Sequence, residues 1–398
     1  METKKEIYLD NSATTRVFPE VADLLHRIYT EEYGNPSSMH HKGVEAEKEL
    51  TKARETLSGL LKVDAKQICF TSCGSESDNL AIIGCALANA RAGRHLITTN
   101  VEHPGVTEAM RHLEEEGFTV TYLPVDETGR ITAQQVTEAM REDTILVSVM
   151  HVNNEIGSVM PIAEIGEAIK KKNPKTLFHV DAVQSFTKFP ILPKKMRIDL
   201  LAASGHKIHA PKGVALLYVG EGVKIKNLIY GGGQQGNLRS GTENVAGAAG
   251  MAMAAKTLYG TMEEDRKRLY DYKEQLIHAL LEIPGVKING IKAEGETFGR
   301  QDIEETAPHI VSLSVKGVRA EVLLHALEEK GIYISAGSAC STHHRDTKGT
   351  KEAIGLSKEY REGTVRISFS VMTTEEEAEE AAEAFREVIP FLRKFVRH

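Results

Sequence analysis

The stretch His179-Val180-Asp181-Ala182-Val183-Gln184, read together with Ala203-Ser204-Gly205-His206-Lys207, decides what this chain is built to be. The first sets an acid at the end of an apolar strand-like run, Leu177-Phe178-His179-Val180. Ligands of open α/β sheets bind outside such carboxyl ends. The second sets a lysine beside two hydrogen-bonding side chains, past the next apolar run, Leu200-Leu201-Ala202-Ala203. A lysine forms a Schiff base with an aldehyde when its neighbours depress its pKa. A carboxylate facing a pyridine nitrogen keeps that nitrogen protonated and makes the ring a better electron sink. Lysine plus acid is therefore the minimal pair for pyridoxal phosphate. Taken singly, Asp181 also reads as a helix cap and Lys207 as a surface cation.

Outward from these strands, further apolar β-rich runs occur at Ile68–Thr71, His95–Thr99, Val120–Leu123, Ile145–Val149 and Val214–Val219. Helical patterns such as Thr107 to Glu116 and Ile162 to Lys172 separate many of them. Alternating strands and helices predict an α/β fold with a mostly parallel sheet covered on both faces. The character changes near residue 255. Leu269, Tyr272, Leu276 and Leu280 follow helical spacing until Pro284-Gly285. Strand-like Ile310–Val315, a helix from about Arg319 to Lys330, and strands at Ile332–Ile334 and Val365–Phe369 come next. Thr374 and Glu377 stand at capping-box spacing before a final helix that runs from acidic to basic. The tail reads as a smaller α+β domain. Gly337 to Gly363 is polar, charged and glycine-punctuated, which predicts a long mobile loop holding a short helix.

Composition excludes several classes. The 398 residues carry 49 Lys+Arg against 56 Asp+Glu, a net charge of −7, which argues against a surface that coats nucleic acid. No apolar run approaches the roughly 18 residues that a membrane span needs. Met1 to Glu6 leads directly into strand-like Ile7-Tyr8-Leu9, so no secretory leader is expected. Cys69, Cys73, Cys85 and Cys340 lack zinc spacing, and reduced thiols in a cytoplasmic enzyme are the expectation.

A phosphate would need its own cradle. Ser72-Cys73-Gly74-Ser75-Glu76-Ser77 follows a strand and opens the helical run Asn79 to Ala88. Small residues there let backbone N–H groups approach an anion at a positive helix end. An ordinary N-cap by Ser75 or Ser77 is the plainer alternative.

Several further segments carry a resemblance: Leu9-Asp10-Asn11-Ser12-Ala13-Thr14-Thr15, Gly34-Asn35-Pro36-Ser37-Ser38, Glu102-His103 and Asn153-Asn154-Glu155-Ile156-Gly157. The order continues through Ser204-Gly205-His206-Lys207, Gly231-Gly232-Gly233-Gln234, Arg239-Ser240-Gly241-Thr242 and Ser338-Ala339-Cys340-Ser341. From about residue 7 to 395 the chain resembles the NifS/IscS-type, group I cysteine desulfurases. These belong to the aminotransferase class V enzymes of pyridoxal phosphate (PLP) fold type I. The resemblance implies a large domain, 16–255, with a mostly parallel seven-stranded sheet. It also implies a small C-terminal domain, 256–398, carrying the loop 337–363, and an N-terminal segment, 1–15, that packs with the small domain.

The same resemblance assigns roles. Lys207 would be the Schiff-base lysine, Asp181 the partner of the pyridine nitrogen and Gln184 a hydrogen-bond partner of the ring's phenolic oxygen. His103 would stack on the ring and handle protons, its plainer alternative being a structural histidine at a strand end. Gly74, Ser75, Ser204 and His206 would hold the phosphate, and Thr242 would reach the phosphate of a neighbouring subunit, which implies a homodimer. Asn154 and Arg366 would hold the substrate carboxylate, with Asn11 in the segment lining that pocket. An arginine fork does suit a carboxylate better than a lysine. Cys340 would take sulfur from L-cysteine as a persulfide, leaving L-alanine. The sulfur would then pass to an iron–sulfur scaffold or tRNA-thiolation protein, with neither a membrane nor direct nucleic-acid contact involved.

Cys340 lies in a small-residue stretch where exposure is expected, and His343, His344 and Arg345 favour a thiolate there. Cys340-x-x-His343-His344 also has zinc-type donors, but no second ligand cluster accompanies it, so no metal is expected. Cys69 and Cys85 read as core residues, whereas Cys73 lies in the phosphate segment. An aminotransferase or a selenocysteine lyase of the same fold is the nearer rival, and a non-catalytic PLP-binding protein the more distant one.

Overall fold

The computed structural model describes residues 5–292, 298–336 and 349–395. Seven strands form the central sheet: β2 (Ile68–Thr71), β3 (His95–Thr99), β4 (Thr119–Leu123), β5 (Thr144–Met150), β6 (Leu177–Asp181), β7 (Leu200–Ser204) and β8 (Ala215–Val219). Their spatial order is β2-β8-β7-β6-β5-β3-β4, and β8 alone runs antiparallel to both neighbours. The sheet is thus mostly parallel, as the alternating pattern predicts. Every residue of β5 is buried, which explains why it reads as a continuous apolar run instead of an alternating one.

The pleat distributes these strands between two cores. Leu217 of β8 and Leu96 of β3 join a core with helix α3 (Gly74–Asn89) and helix α4 (Pro104–Glu115). Leu216, Tyr218 and Ile97 point the other way, into a larger core shared with α2 (His41–Leu61), α6 (Ile162–Lys172) and α7 (Val245–Leu281). Helix α1 (Pro19–Thr30), like α4, has proline in its first turn, where the missing N–H costs no hydrogen bond.

A third large core surrounds a three-stranded antiparallel sheet of order β12-β10-β9, formed by β9 (Val286–Asn289), β10 (Ile310–Val315) and β12 (Thr364–Ser368). Helices α9 (Ala320–Glu328) and α12 (Glu375–Arg393) pack on it together with the second half of α7. The N-terminal strand β1 (Ile7–Tyr8) joins this core by pairing in parallel with β11 (Ile332–Tyr333). The capping box of α12 forms as its spacing predicts. Thr374 Oγ1 accepts from Glu377 N at 3.2 Å, and Thr374 N donates to Glu377 Oε2 at 3.0 Å.

Three sequence expectations change. The change of character near residue 255 marks no break, because α7 runs unbroken through it for 37 residues. Its first part, Val245 to Ala255, is buried almost all round, so it lacks the amphipathic stripe by which a helix is read. The N-cap of α3 is Cys73, without a side-chain cap bond, and neither Ser75 nor Ser77 fills that place. Ser77 instead turns inward, its Oγ 2.6 Å from Thr71 Oγ1 and donating to the Leu216 carbonyl. Of the expected loop from 337 to 363, residues 337–348 lie outside the described residues. The remainder holds two short helices, α10 (Thr350–Ala353) and α11 (Lys358–Arg361).

Candidate active site

The carboxyl ends of β2, β3, β6 and β7 open on one side of the sheet, and the residues that follow them line a cavity of about 300 Å³. Its wall contains Gly74 and Ser75 from the start of α3, His103 at the N-cap of α4, Asp181 at the end of β6 with Gln184 beyond it, and Ser204 at the end of β7 with His206 and Lys207 beyond it. Asn154 and Arg366 complete it. Residues far apart in sequence meet here because parallel strands present all their carboxyl ends at one edge.

Lys207 lies in a single 3-10 turn directly after β7. Its Nζ donates to the carbonyls of Ser12 at 2.5 Å and Ala13 at 2.7 Å. Burial, followed by the nearby charge of Arg366, pushes its pKa down to about 8. Asp181 ends β6 and is 5% exposed. Its Oδ1 accepts from Val183 N at 2.9 Å. Burial raises its pKa, while His103 and Lys207 act in the opposite sense.

His103 caps α4. Its Nδ1 accepts from Gly105 N at 3.0 Å, so in the neutral ring Nε2 carries the proton. Burial holds its pKa below the ordinary imidazole value. His206 is also held down, to about 4, by burial and then by Lys207. Both rings are therefore neutral near pH 7.

The end of the cavity suited to an anion is built by α3. Its first N–H groups have no partner within the helix, and they point where the macrodipole favours negative charge. Ser204 Oγ, on a side chain 1% exposed, has no hydrogen-bond partner and belongs to the same wall. Gly74 is needed for close approach: a Cβ there would lie 2.8 Å from Val183 Cγ2. Glu76 braces the segment, accepting from Ser72 N at 2.9 Å and from Arg239 Nε at 2.7 Å. That ion pair ties the Arg239–Thr242 loop to the cradle.

At the opposite end, Arg366 projects from β12. Its Nη2 donates to Asp10 Oδ1 at 2.8 Å and its Nη1 to the Asn154 carbonyl at 2.7 Å, while Nε has no partner. The turn that carries Asn154 is held by the Asn153 side chain, whose Oδ1 accepts from Glu155 N at 2.9 Å and Ile156 N at 3.0 Å. Gly157 completes this turn at φ +74°, a conformation glycine adopts freely.

Not every expected residue meets the cavity. The Asn11 side chain is committed to the carbonyls of Tyr8 and Ser368, at 3.0 and 2.9 Å, and the neighbouring Ser12 and Ala13 line the wall instead. Thr242 is exposed and stands outside the wall. Cys340, His343 and His344 lie outside the described residues. Cys69 and Cys85 are buried, and burial pushes the Cys69 thiol up to about 12. Cys73 is exposed on the cavity wall. Among the described residues, no cluster of three or more His, Cys, Asp or Glu side chains is arranged to hold a metal, and no helix is long and apolar enough to cross a membrane.

Sequence reasoning did not single out three acids at the site, two of them buried. Asp78, 1% exposed, lines the cavity with an unpartnered Oδ1. Glu102 accepts from Thr99 Oγ1 at 2.7 Å and Met150 N at 3.0 Å, and burial raises its pKa to about 8. Asp10 orients Arg366. Asp10 and Glu102 stood inside motifs already quoted, next to the residues given roles, so the signal was there. Asp78 precedes the apolar run Leu80 to Ala88, among the polar residues that open the helix, and so left no comparable mark.

Comparisons with known proteins place the whole chain in a family. Residues 7–380 match the family described as Aminotransferase class-V. A cysteine desulfurase IscS of Clostridium botulinum is 42% identical, covering 97% of this chain and 94% of its own. A cysteine desulfurase IscS of Methanosarcina thermophila is 40% identical, covering 98% of this chain and 93% of its own. The solved structure of a NifS-like protein superposes with a TM-score of 0.89 at 36% identity, covering 98% of this chain and all of that one. The chain belongs to the class-V aminotransferase family and, within it, to the cysteine desulfurases of the IscS/NifS kind.

Proposed function

We propose that this enzyme uses pyridoxal phosphate to remove sulfur from L-cysteine, leaving L-alanine and a persulfide on Cys340. The observation that carries the proposal is one cavity walled by Lys207, Asp181, His103 and Arg366, with an anion cradle at one end. The residues fit the cofactor. Ser204 Oγ is a buried donor without a partner, beside the unpaired N–H groups that open α3, which suits a phosphate. Asp181 is a buried carboxyl whose pKa burial raises and facing positive charge lowers, which suits a protonated pyridine nitrogen. Gln184 reaches the same wall, where its amide would meet a ring oxygen of the cofactor.

When bound, the cofactor supplies an electron sink for the pair left at the substrate Cα. Lys207, its basicity lowered toward neutrality, holds the cofactor and then takes the Cα proton as a free amine. Arg366 offers its uncommitted N–H groups, one of them the unpartnered Nε–H, to the substrate carboxylate. His103 exchanges a proton with the substrate thiol through Nε2. The Cys340 thiolate attacks the substrate sulfur and the carbon–sulfur bond breaks. The electron pair released to Cβ is protonated, giving alanine.

Alanine release from L-cysteine with a reducing thiol present tests this, comparing the natural chain with Cys340→Ser. Alanine from the first and almost none from the second is expected. Equal amounts from both would remove Cys340 from the chemistry, and none from either would overturn the proposal. The exposed Thr242, tied through Arg239 to the cradle, supports a homodimer in which it reaches the partner's phosphate. A sulfur-acceptor protein in the cytoplasm, either an iron–sulfur scaffold or a tRNA-thiolation protein, completes the proposal.

A further inference from the structure

Behind the cavity, His309 is 1% exposed, and its Nε2 lies 3.4 Å from Gln184 Oε1. The polarity of this contact is fixed by elimination. The Ser12 carbonyl can only accept, and Gln184 Nε2 donates to it at 3.0 Å, so the amide nitrogen is on that side and Oε1 turns to His309. Oε1 can only accept as well, so His309 Nε2 carries the proton. Burial, with the charges of Lys188, Lys273, Arg366 and Lys207 around it, holds His309 neutral. Its Nδ1 is then a bare acceptor. Nδ1 is unpartnered, and His309 lines a second small cavity together with Lys188, whose Nζ donates to the Lys207 carbonyl at 3.1 Å. Donors on that side suit an Nδ1 that only accepts.

We propose that His309 is a positioning residue, which occupies the Gln184 oxygen so that the amide can turn only an N–H toward the ring oxygen of the cofactor. One amide hydrogen goes to Ser12 and the other remains for the cavity wall that Gln184 lines. Without His309 only the Ser12 carbonyl opposes reversal of the amide, and the reversed amide would present an oxygen that repels an ionised ring oxygen. The inference rests on the cofactor reading given above, and it concerns an element that reaches the site from the other core: His309 directly precedes β10.

The test is an equilibrium titration of cofactor-free protein with pyridoxal phosphate at fixed pH, following both the dissociation constant and the absorption band of the bound cofactor. His309→Leu should weaken binding about fivefold, the loss of roughly one hydrogen bond, and should shift the band. His309→Gln, whose amide nitrogen stands near the place of Nε2, should restore both. In a Gln184→Leu background, His309→Leu should change neither further. A band and affinity unaltered in His309→Leu would overturn the positioning role while leaving the cofactor reading intact. An equal loss in His309→Leu and His309→Gln, or an additional loss in the Gln184→Leu background, would also overturn it. Absence of any band in the natural protein would overturn the cofactor reading and the inference together.

Discussion

Replacing Arg366 by lysine separates the shape of its side chain from its charge. A guanidinium has five N–H groups. Two of them go to Asp10 and to the Asn154 carbonyl, leaving three for a ligand, one of these the unpartnered Nε–H. A lysine has three N–H groups, so after keeping the same two partners it has one left. A substrate carboxylate thus changes from a paired to a single contact. Hydrogen bonds to charged groups are worth about 1.5–3 kcal/mol. With about 1.4 kcal/mol per factor of ten, kcat/KM for L-cysteine should fall roughly 10- to 100-fold. Because the charge is kept, the part of the Lys207 pKa depression due to Arg366 should be kept too. Arg366→Met should remove both, losing more activity and moving the amine's titration upward. Alanine formation at varied L-cysteine gives kcat/KM, and the pH dependence of cofactor capture by each cofactor-free variant reports the amine. If Arg366→Lys stays within threefold of the natural enzyme, the carboxylate does not bind through the guanidinium fork.

Three further expectations follow from individual groups. Lys207 captures an aldehyde only as a free amine, and its pKa is lowered to about 8, so covalent uptake of pyridoxal phosphate should speed up with pH and level off just above 8. A rate still climbing beyond pH 9.5 would show an ordinary lysine. Ser204→Ala should raise the cofactor dissociation constant about tenfold, a charge-assisted hydrogen bond's worth. An unchanged constant would mean that the orphaned hydroxyl does not meet the phosphate. The raised pKa of Glu102 means that folding favours its protonated form. That contribution is whole below the ordinary value of 4.5 and disappears as pH rises through about 8. Glu102→Gln should therefore lose less thermal stability than the natural chain between pH 5 and 8, and parallel melting curves over that range would refute the assignment.

What could be read from the sequence depended on where the physical signal lay. Strands buried on both faces announced themselves as apolar runs, and β2, β3 and β10 have the very bounds those runs gave. Helix α7 was only half visible, because its alanine- and glycine-rich start is buried on every side and has no polar face to set the period. Strand β9 was missed: four residues, Val286-Lys287-Ile288-Asn289, carry too short an alternation to stand out. In the site, Lys207 and Asp181 were legible because each stands at a strand's end in a fold that gathers strand ends, whereas the role of His103 came only with the family resemblance. The carbonyls of Ser12 and Ala13 that hold the Lys207 amine were not, since a backbone oxygen leaves no mark on residue type. His309 was hidden for a related reason. A histidine before an apolar strand has many ordinary explanations, and only the arrangement of donors around Gln184 gives it a role.

The electrostatics of the cavity connect these parts. Asp181, Asp78 and Glu102 are three buried carboxyls, and burial raises the pKa of each. Asp181 adds to the shift of both others, so ionising all three together is unfavourable. Of the three, Asp181 is the one for which His103 and Lys207 act to lower the pKa. A cation opposite its carboxylate would deepen that preference, and by linkage an ionised Asp181 would raise the basicity of the cation to the same degree. Glu102 and Asp78 stay protonated most easily, so they add little negative charge that would compete for that cation. The effect is to favour ionisation at the end of β6 over the other two carboxyls. A protonated pyridine nitrogen bound there would find its counter-charge in place, and Asp181→Asn would remove it while leaving the cavity's shape almost unchanged.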